Sequence, residues 1–363
     1  MFNIGKILKR AWYILWNYRI LWIFSLLLVI AGGGTGARFS GGGSSGYQGG
    51  SGGYRGVNPE ASPFVADANA WIQQNIVPLI LHPERTIATF VWIGVGLILF
   101  FLVVGAFFAV IRYVSETAIL RMVNDYEQTG ARIGFKQGWR LGWSRRAFRL
   151  WLIDLILALP VLIFMLLTMG AGLGVYFASR NGAPEPGVAV IILLSILAAL
   201  ILGTFVLGMV FLGLLRQFFV RSAALDDSGV GTAFAQGWQI FTRGWKNAAL
   251  MWLTMLGLGF MYMLGSFFLV FLLIPVFLFT AIAGLLVAAV PALIALGLAS
   301  LFLVGPWNWI VAALVGLPFF LMVLGSPMLL FDGWRQIFST SVWTLTYREL
   351  KAPLEPAPAP AVS

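Results

Sequence analysis

Long apolar runs dominate the chain, and most are introduced by a short basic segment whose hydrophobic residues recur at helical spacing. Over residues 1–19, Ile4, Ile7, Leu8, Ala11, Trp12, Leu15 and Trp16 interleave with Lys6, Lys9, Arg10 and Arg19, which predicts an amphipathic helix at a membrane interface. The charge-free run from Ile20 to Ala37 follows as a short first span. Its brevity and small-residue ending also fit a signal-peptide core, but the likeness of its leader to later segments favours an uncleaved span. Thr86 to Ile111 carries no charge and is long enough to cross with some tilt. Arg112 to Thr129 is mixed-charge and amphipathic, Gly130 breaks it, and a basic segment runs from Ile133 to Arg149; two interfacial helices joined at Gly130 are expected. Leu150 to Ala178, with Asp154 and Pro160 near its start, and Gly187 to Leu215 read as the third and fourth spans around a Pro/Gly turn. From Asn247 to Phe331 there are 85 residues without Asp, Glu, Lys or Arg.

The basic segments repeat. Phe135-Lys136-Gln137-Gly138-Trp139 returns 99 residues later as Phe234-Ala235-Gln236-Gly237-Trp238, each followed by an apolar run opening at Trp151-Leu152 or Trp252-Leu253. Trp12, Trp16 and Arg19 superpose without a gap on Trp139, Trp143 and Arg146, and Asp332-Gly333-Trp334 resumes the pattern near the C-terminus. Each such segment is a ramp onto a span. The economical account is three hairpins, with the third built from spans near 248–279 and 288–317 and an apolar connector over 318–331. Gly305-Pro306-Trp307-Asn308-Trp309 has the form of an interfacial break and would instead make three crossings there. Charge favours the even count: six spans keep 19 of the 23 Lys and Arg residues on one side, and seven spans keep 16.

With 60% hydrophobic and 10% charged residues, the apolar surface exceeds what a water-soluble core could hide. The fold class expected is therefore an all-α integral membrane protein, six transmembrane helices as three repeated hairpins with interfacial amphipathic helices. A single polytopic domain would cover 1–351. Residues 32–56, of which 13 are glycine, read as a flexible external insert, 57–85 as an external interfacial helix and loop, and 352–363 as a disordered Pro/Ala-rich tail. The net charge of +10 serves orientation and anionic lipid headgroups rather than nucleic acid. The expected location is the plasma membrane, multi-pass, with both termini cytoplasmic.

Candidate chemistry is sparse. The chain has no cysteine and one histidine, His82, in an external loop beside Pro83 and Glu84, so neither metal site nor cofactor is expected. Asp154 is the one carboxylate inside a span; an ionisable group there proposes proton or cation handling, and its place one turn past Arg149 favours a paired anchor instead. Asn308 is the second intramembrane polar candidate. Trp12, Arg19, Trp139, Arg146, Trp238 and Trp334 are the ramp and interface candidates, suited to an aromatic belt. Asp226-Asp227 suits capping and ramp salt bridges, and Gly170, Gly172, Gly174, Gly203, Gly208 and Gly213 predict close helix contacts.

At its Gly-Trp ramps and the ending Ser341-Val342-Trp343-Thr344-Leu345-Thr346-Tyr347-Arg348-Glu349-Leu350, the chain resembles a broad group of bacterial multi-pass proteins. The nearest named relatives are the membrane domains attached to some glycerophosphoryl diester phosphodiesterases. The resemblance implies a six-span plasma-membrane fold and carries over no activity, because the phosphodiesterase chemistry of such fusions belongs to a separate soluble barrel. The polar poverty of the spans points to a non-enzymatic scaffold or partner subunit, joined to a membrane-protein partner or a second copy of itself. The alternative is a transporter or permease for an apolar or amphipathic solute, motivated by the repeats and by Pro160, Pro275, Pro291 and Pro306. Ser195, Thr204, Asp154 or Asn308 would then line its path.

Overall fold

The computed structural model describes residues 2–32, 83–180, 188–301 and 307–352. Within these the regular structure is helical throughout: α1 Ile4–Asn17, α2 Ile20–Ile30, α3 Pro83–Thr129, α4 Phe135–Gly142, α5 Arg145–Arg180, α6 Val188–Leu225, α7 Val230–Arg243, α8 Trp245–Leu272, α9 Ile274–Ala299, α10 Trp307–Leu324 and α11 Ser326–Lys351. The glycine insert, the expected surface helix, His82 and the Pro/Ala-rich tail lie outside the described residues, apart from Pro83–Arg85, which open α3, and the ends Gly32 and Ala352. By length and composition, five helices can cross a membrane: Leu102–Thr129, Arg145–Phe177, Ile192–Leu225, Trp245–Leu272 and Ile274–Ala299. The bent pairs α1–α2 (96°) and α10–α11 (58°) raise the number to as many as seven. That is the outline of a multi-pass membrane protein.

Several boundaries differ from the sequence expectation. Residues 112–129 do not form a separate interfacial helix; they continue the span, giving a 47-residue α3. No Gly or Pro interrupts the chain between Gly105 and Gly130, and Ser115, Glu116 and Thr117 are buried in a packed interior, so nothing favours a break. Gly130, at φ +70°, is where the helix does stop. The expected turn after Phe279 is absent as well: α9 runs unbroken to Ala299 with Pro291 inside it, and Pro160 likewise sits inside α5. The chain reverses instead between α9 and α10, the Gly305-Pro306 pair itself lying outside the described residues, and the expected connector over 318–331 is split between α10 and α11 at Gly325. Helix α2 has only eleven residues, about 16 Å, and by itself falls short of a bilayer's apolar thickness.

The chain divides into two compact units. The first holds α1, α2, α3 from Ile111, α4 to α7, α8 as far as Ser266 and α11 from Leu330. Its core gathers the ends of three long helices, with Ala118, Ile119, Met122 and Val123 of α3, Phe218, Val220 and Ala223 of α6, and Ile337, Val342 and Tyr347 of α11 all buried. The ramps press on these ends through glycines. A Cβ at Gly138 would meet Met122 Sδ at 2.6 Å and Phe24 at 2.9 Å, and one at Gly142 would collide with the backbone carbonyl of Val114. Gly237 lies against the Phe218 and Phe219 backbone, Gly244 against Leu350, and Gly333 against Ser25 Oγ. The spans show the opposite behaviour. Their most apolar stretches in α6 and α8 are wholly unburied within the chain, as a lipid-facing surface would be.

The second unit contains α9 and α10, packed as an antiparallel pair, since Thr280 pairs with Leu324, Gly284 with Phe320 and Ala292 with Gly316. A Cβ on Gly316 would lie 2.9 Å from Ala292 Cβ and 3.3 Å from the Ala288 carbonyl, so this seam depends on small residues. The expected glycine contacts in α5 and α6 do not form: Gly170, Gly172, Gly174, Gly203 and Gly208 have nothing within 4 Å of a Cβ position. Close approach is found where a ramp crosses a long helix, and in the α9–α10 seam.

Candidate functional site

Charged residues at the polar ends of three apolar runs converge on one point of the first unit. Arg112 and Glu116 sit one turn apart on α3, Asp154 is on α5, and Arg216 follows the apolar stretch of α6. Arg216 grips Asp154 with both arms of its guanidinium: Nε donates to Oδ1, and Nη2 to Oδ2 at 3.0 Å. Nη2 also reaches Glu116 Oε1 at 3.1 Å. Arg112 Nη2 adds a bond to Asp154 Oδ2 at 3.3 Å, and the Tyr113 hydroxyl donates to the same oxygen at 3.1 Å. Arg216 is 9% exposed and Glu116 7%. Two cations and two carboxylates thus pair at the edge of the core, with Arg216 and Glu116 buried and Arg112 and Asp154 partly exposed, and the buried charges have the partners under which burial is tolerated.

Asp154 accordingly finds its partners on α3 and α6 rather than on the ramp next to it. Arg149, the expected neighbour, turns away and donates to Asp227 Oδ1 at 2.8 Å, and Arg146 Nε joins it at 3.1 Å. Asp227 adopts φ +54° where α6 gives way to α7, a left-handed conformation that aspartate accepts more readily than most residues. The hydrogen bond and charge of Arg146, followed by the charge of Arg149, hold its carboxyl below the ordinary 3.8. Its neighbour Asp226 accepts from the Tyr347 hydroxyl at 2.6 Å and from Lys351 Nζ at 2.8 Å. Arg221, 3% exposed, is held by the Gln217 side chain and the Thr340 carbonyl.

The first unit also holds an aromatic cluster. Trp334 is flanked by Trp16, Trp22 and Phe331 with ring centroids 5.1–5.5 Å away. Trp12 extends the cluster through Trp16 and Phe338. Trp12 is 56% exposed and Trp238 48%, whereas Trp139 and Trp334 are partly buried. Trp139 packs beside Phe135 and Trp143. Trp12, Trp16 and Trp334 therefore share one cluster, while Arg146 serves an ion pair and Trp238 touches Phe241. Arg19 lines a cavity at the α1–α2 elbow. Asn308, in the second unit, starts α10 with its Oδ1 buried and without a hydrogen bond among the described residues. Ser195 and Thr204 are exposed on α6.

Sequence reasoning found Asp154 and missed Arg112, Glu116, Arg216 and Tyr113. A signal existed, because Arg112, Asp154 and Arg216 each mark where an apolar run meets its polar end, and consecutive spans of a hairpin place such ends side by side. Chemically the cluster is closed: each carboxylate already accepts from an arginine, and no group of three or more His, Cys, Asp or Glu residues suited to a metal occurs among the described residues. No curated protein and no solved structure matches the chain. One family model does, over residues 7–340, and by that match the chain belongs to a family of unknown function, DUF7544.

Proposed function

We propose that this protein is a non-enzymatic membrane scaffold or partner subunit of the bacterial plasma membrane, built as three repeated hairpins with six spans and both termini cytoplasmic. The observation that carries the reading is the division of labour between helix ends and helix middles. The charged groups of the ramp end are consumed by one another, so they order the bundle, while the apolar middles of α6 and α8 remain available to lipid or to another protein. The repeat is supported by contact as well as by sequence. The α1–α2 elbow holds the connector after α3 through Tyr18 and Ile133, the α4–α5 elbow holds the connector after α6 through Arg146 and Asp227, and Gly244 at the α7–α8 elbow meets Leu350 at the end of α11.

The test is extraction from native membrane in polymer-bounded lipid discs, followed by crosslinking and mass measurement. A scaffold emerges with a second protein or a second copy. A lone monomer whose melting temperature rises with an amphipathic solute overturns the reading in favour of a transporter. Topology is tested in this cysteine-free chain by single substitutions Ser179→Cys and Ser363→Cys. Externally applied maleimide labels the first and spares the second if six spans hold.

A further inference from the structure

The bend between α1 and α2 encloses a cavity of about 380 Å³ lined by Trp16, Asn17, Tyr18, Arg19, Ile20 and Arg132. Arg19 and Arg132 both line this space, and among the described residues neither forms an ion pair. The cavity is held in shape from below. Tyr18 is 1% exposed, its hydroxyl donates to the Ile133 carbonyl at 3.0 Å and accepts the Ile133 N–H at 2.7 Å, and its ring lies 5.3 Å from that of Tyr126. This clamp fixes the backbone next to Arg132 and so holds that residue at the elbow.

The next elbow along the chain shows what such a pair of arginines ordinarily requires. Arg146, the counterpart of Arg19 in the gap-free superposition of the ramps, is neutralised together with Arg149 by Asp227. The register set by the two Phe-x-Gln-Gly-Trp motifs places Gln128 opposite Asp227 and Arg132 opposite Gly231. At the first elbow the position of the pairing carboxylate is therefore held by an uncharged amide, and a cation stands where the second elbow has a glycine. We propose that this cavity is a phosphate site filled from outside the chain. Two guanidinium forks match the oxygens of a phosphate, and the positive end of α2, which begins at Ile20 on the cavity wall, adds to the attraction. An anionic phospholipid headgroup and soluble phosphate share this chemistry. The lipid source rests on α1 being an interfacial helix; the site itself does not.

The experiment uses full-length protein in detergent, with native mass spectrometry and thermal melts after addition of phosphatidylglycerol, phosphatidylcholine or inorganic phosphate. Wild type is expected to retain one phosphatidylglycerol in preference to phosphatidylcholine. Arg19→Gln with Arg132→Gln should weaken that retention about tenfold or more. Arg132→Glu, which supplies a carboxylate within the chain, should abolish it while leaving the apo melting temperature unchanged or higher. Removal of equal charge elsewhere, in Arg243→Gln with Lys246→Gln, should leave retention intact. If inorganic phosphate raises the melting temperature with the same dependence on Arg19 and Arg132, the source is soluble phosphate; if only the lipid does, it is a headgroup. Equal retention by wild type and Arg132→Glu, or no binding of either probe to wild type, overturns the site. Partner capture is measured separately, so loss of the site and loss of the scaffold reading give different results.

Discussion

Arg216 in the first unit and Gly316 in the second occupy comparable positions, each at a crossing of long helices, and they work by opposite means. Arg216 joins three helices by filling the space with charge that Glu116 and Asp154 cancel. Gly316 joins two by leaving the space empty, so that the Ala288 carbonyl and Ala292 can approach. An ionic crossing tolerates little sliding, because a shift strands a desolvated charge; a small-residue seam can slide at modest cost. The first arrangement specifies one geometry, and the second provides closeness.

The largest effect expected from breaking this contrast is at Arg216→Met, which leaves the buried Glu116 without its cation and Asp154 with Arg112 alone, and should cost about 3–5 kcal/mol in denaturant or thermal unfolding. Adding Glu116→Gln and Asp154→Asn to the same chain should return most of that loss. A triple variant no more stable than the single one would show that packing, and not charge, orders the centre. Next comes Gly142→Ala, about 2–3 kcal/mol destabilising, since the new methyl meets the unyielding Val114 carbonyl; Gly170→Ala, with open space around it, should be neutral or slightly stabilising. In the second unit Gly316→Ala should cost about 1–2 kcal/mol, because neither Ala292 Cβ nor the Ala288 carbonyl can yield unless the two helices separate slightly.

The smallest effect concerns acid. Asp227 has its carboxyl held below 3.8 by Arg146 and Arg149, so its pairing stabilises the fold fully above the unfolded value and is lost as pH falls through the lower folded value. Asp227→Asn should therefore melt slightly below wild type at pH 7 and match it once the solution is acidic enough to protonate the native aspartate. Because this side chain is 59% exposed, salt should shrink the gap as well. A difference that persisted in strong acid would assign the loss to the hydrogen bonds of the side chain rather than to its charge, since asparagine accepts the left-handed turn as readily as aspartate.

The helices were legible because apolar runs in a nearly charge-free chain leave little else for the backbone to do, and Gly130 marked its boundary through a positive φ. The continuation of α3 past Arg112 was not. Its polar residues read as an interface when the partner that buries them is 100 positions away, as Glu116 is from Arg216. Glycine was misleading for a similar reason. A series within one span, such as Gly170 to Gly174, says nothing about whether a neighbour arrives, whereas single glycines in the short ramps are forced into contact by the bend that follows. The reversal between α9 and α10 lay at a break visible in the sequence, but charge counting, which weighs only loop residues, could not see a hairpin that carries no charge.

The balanced foursome of Arg112, Glu116, Asp154 and Arg216 has an electrical meaning too. A membrane voltage does work on net charge, about 2.3 kcal/mol for each elementary charge moved through 100 mV. Two positive and two negative groups in mutual contact sum to zero, so an energised bilayer exerts no pull on them along its normal. Moved as a body across a polarised membrane, the foursome would therefore take up no net electrical work.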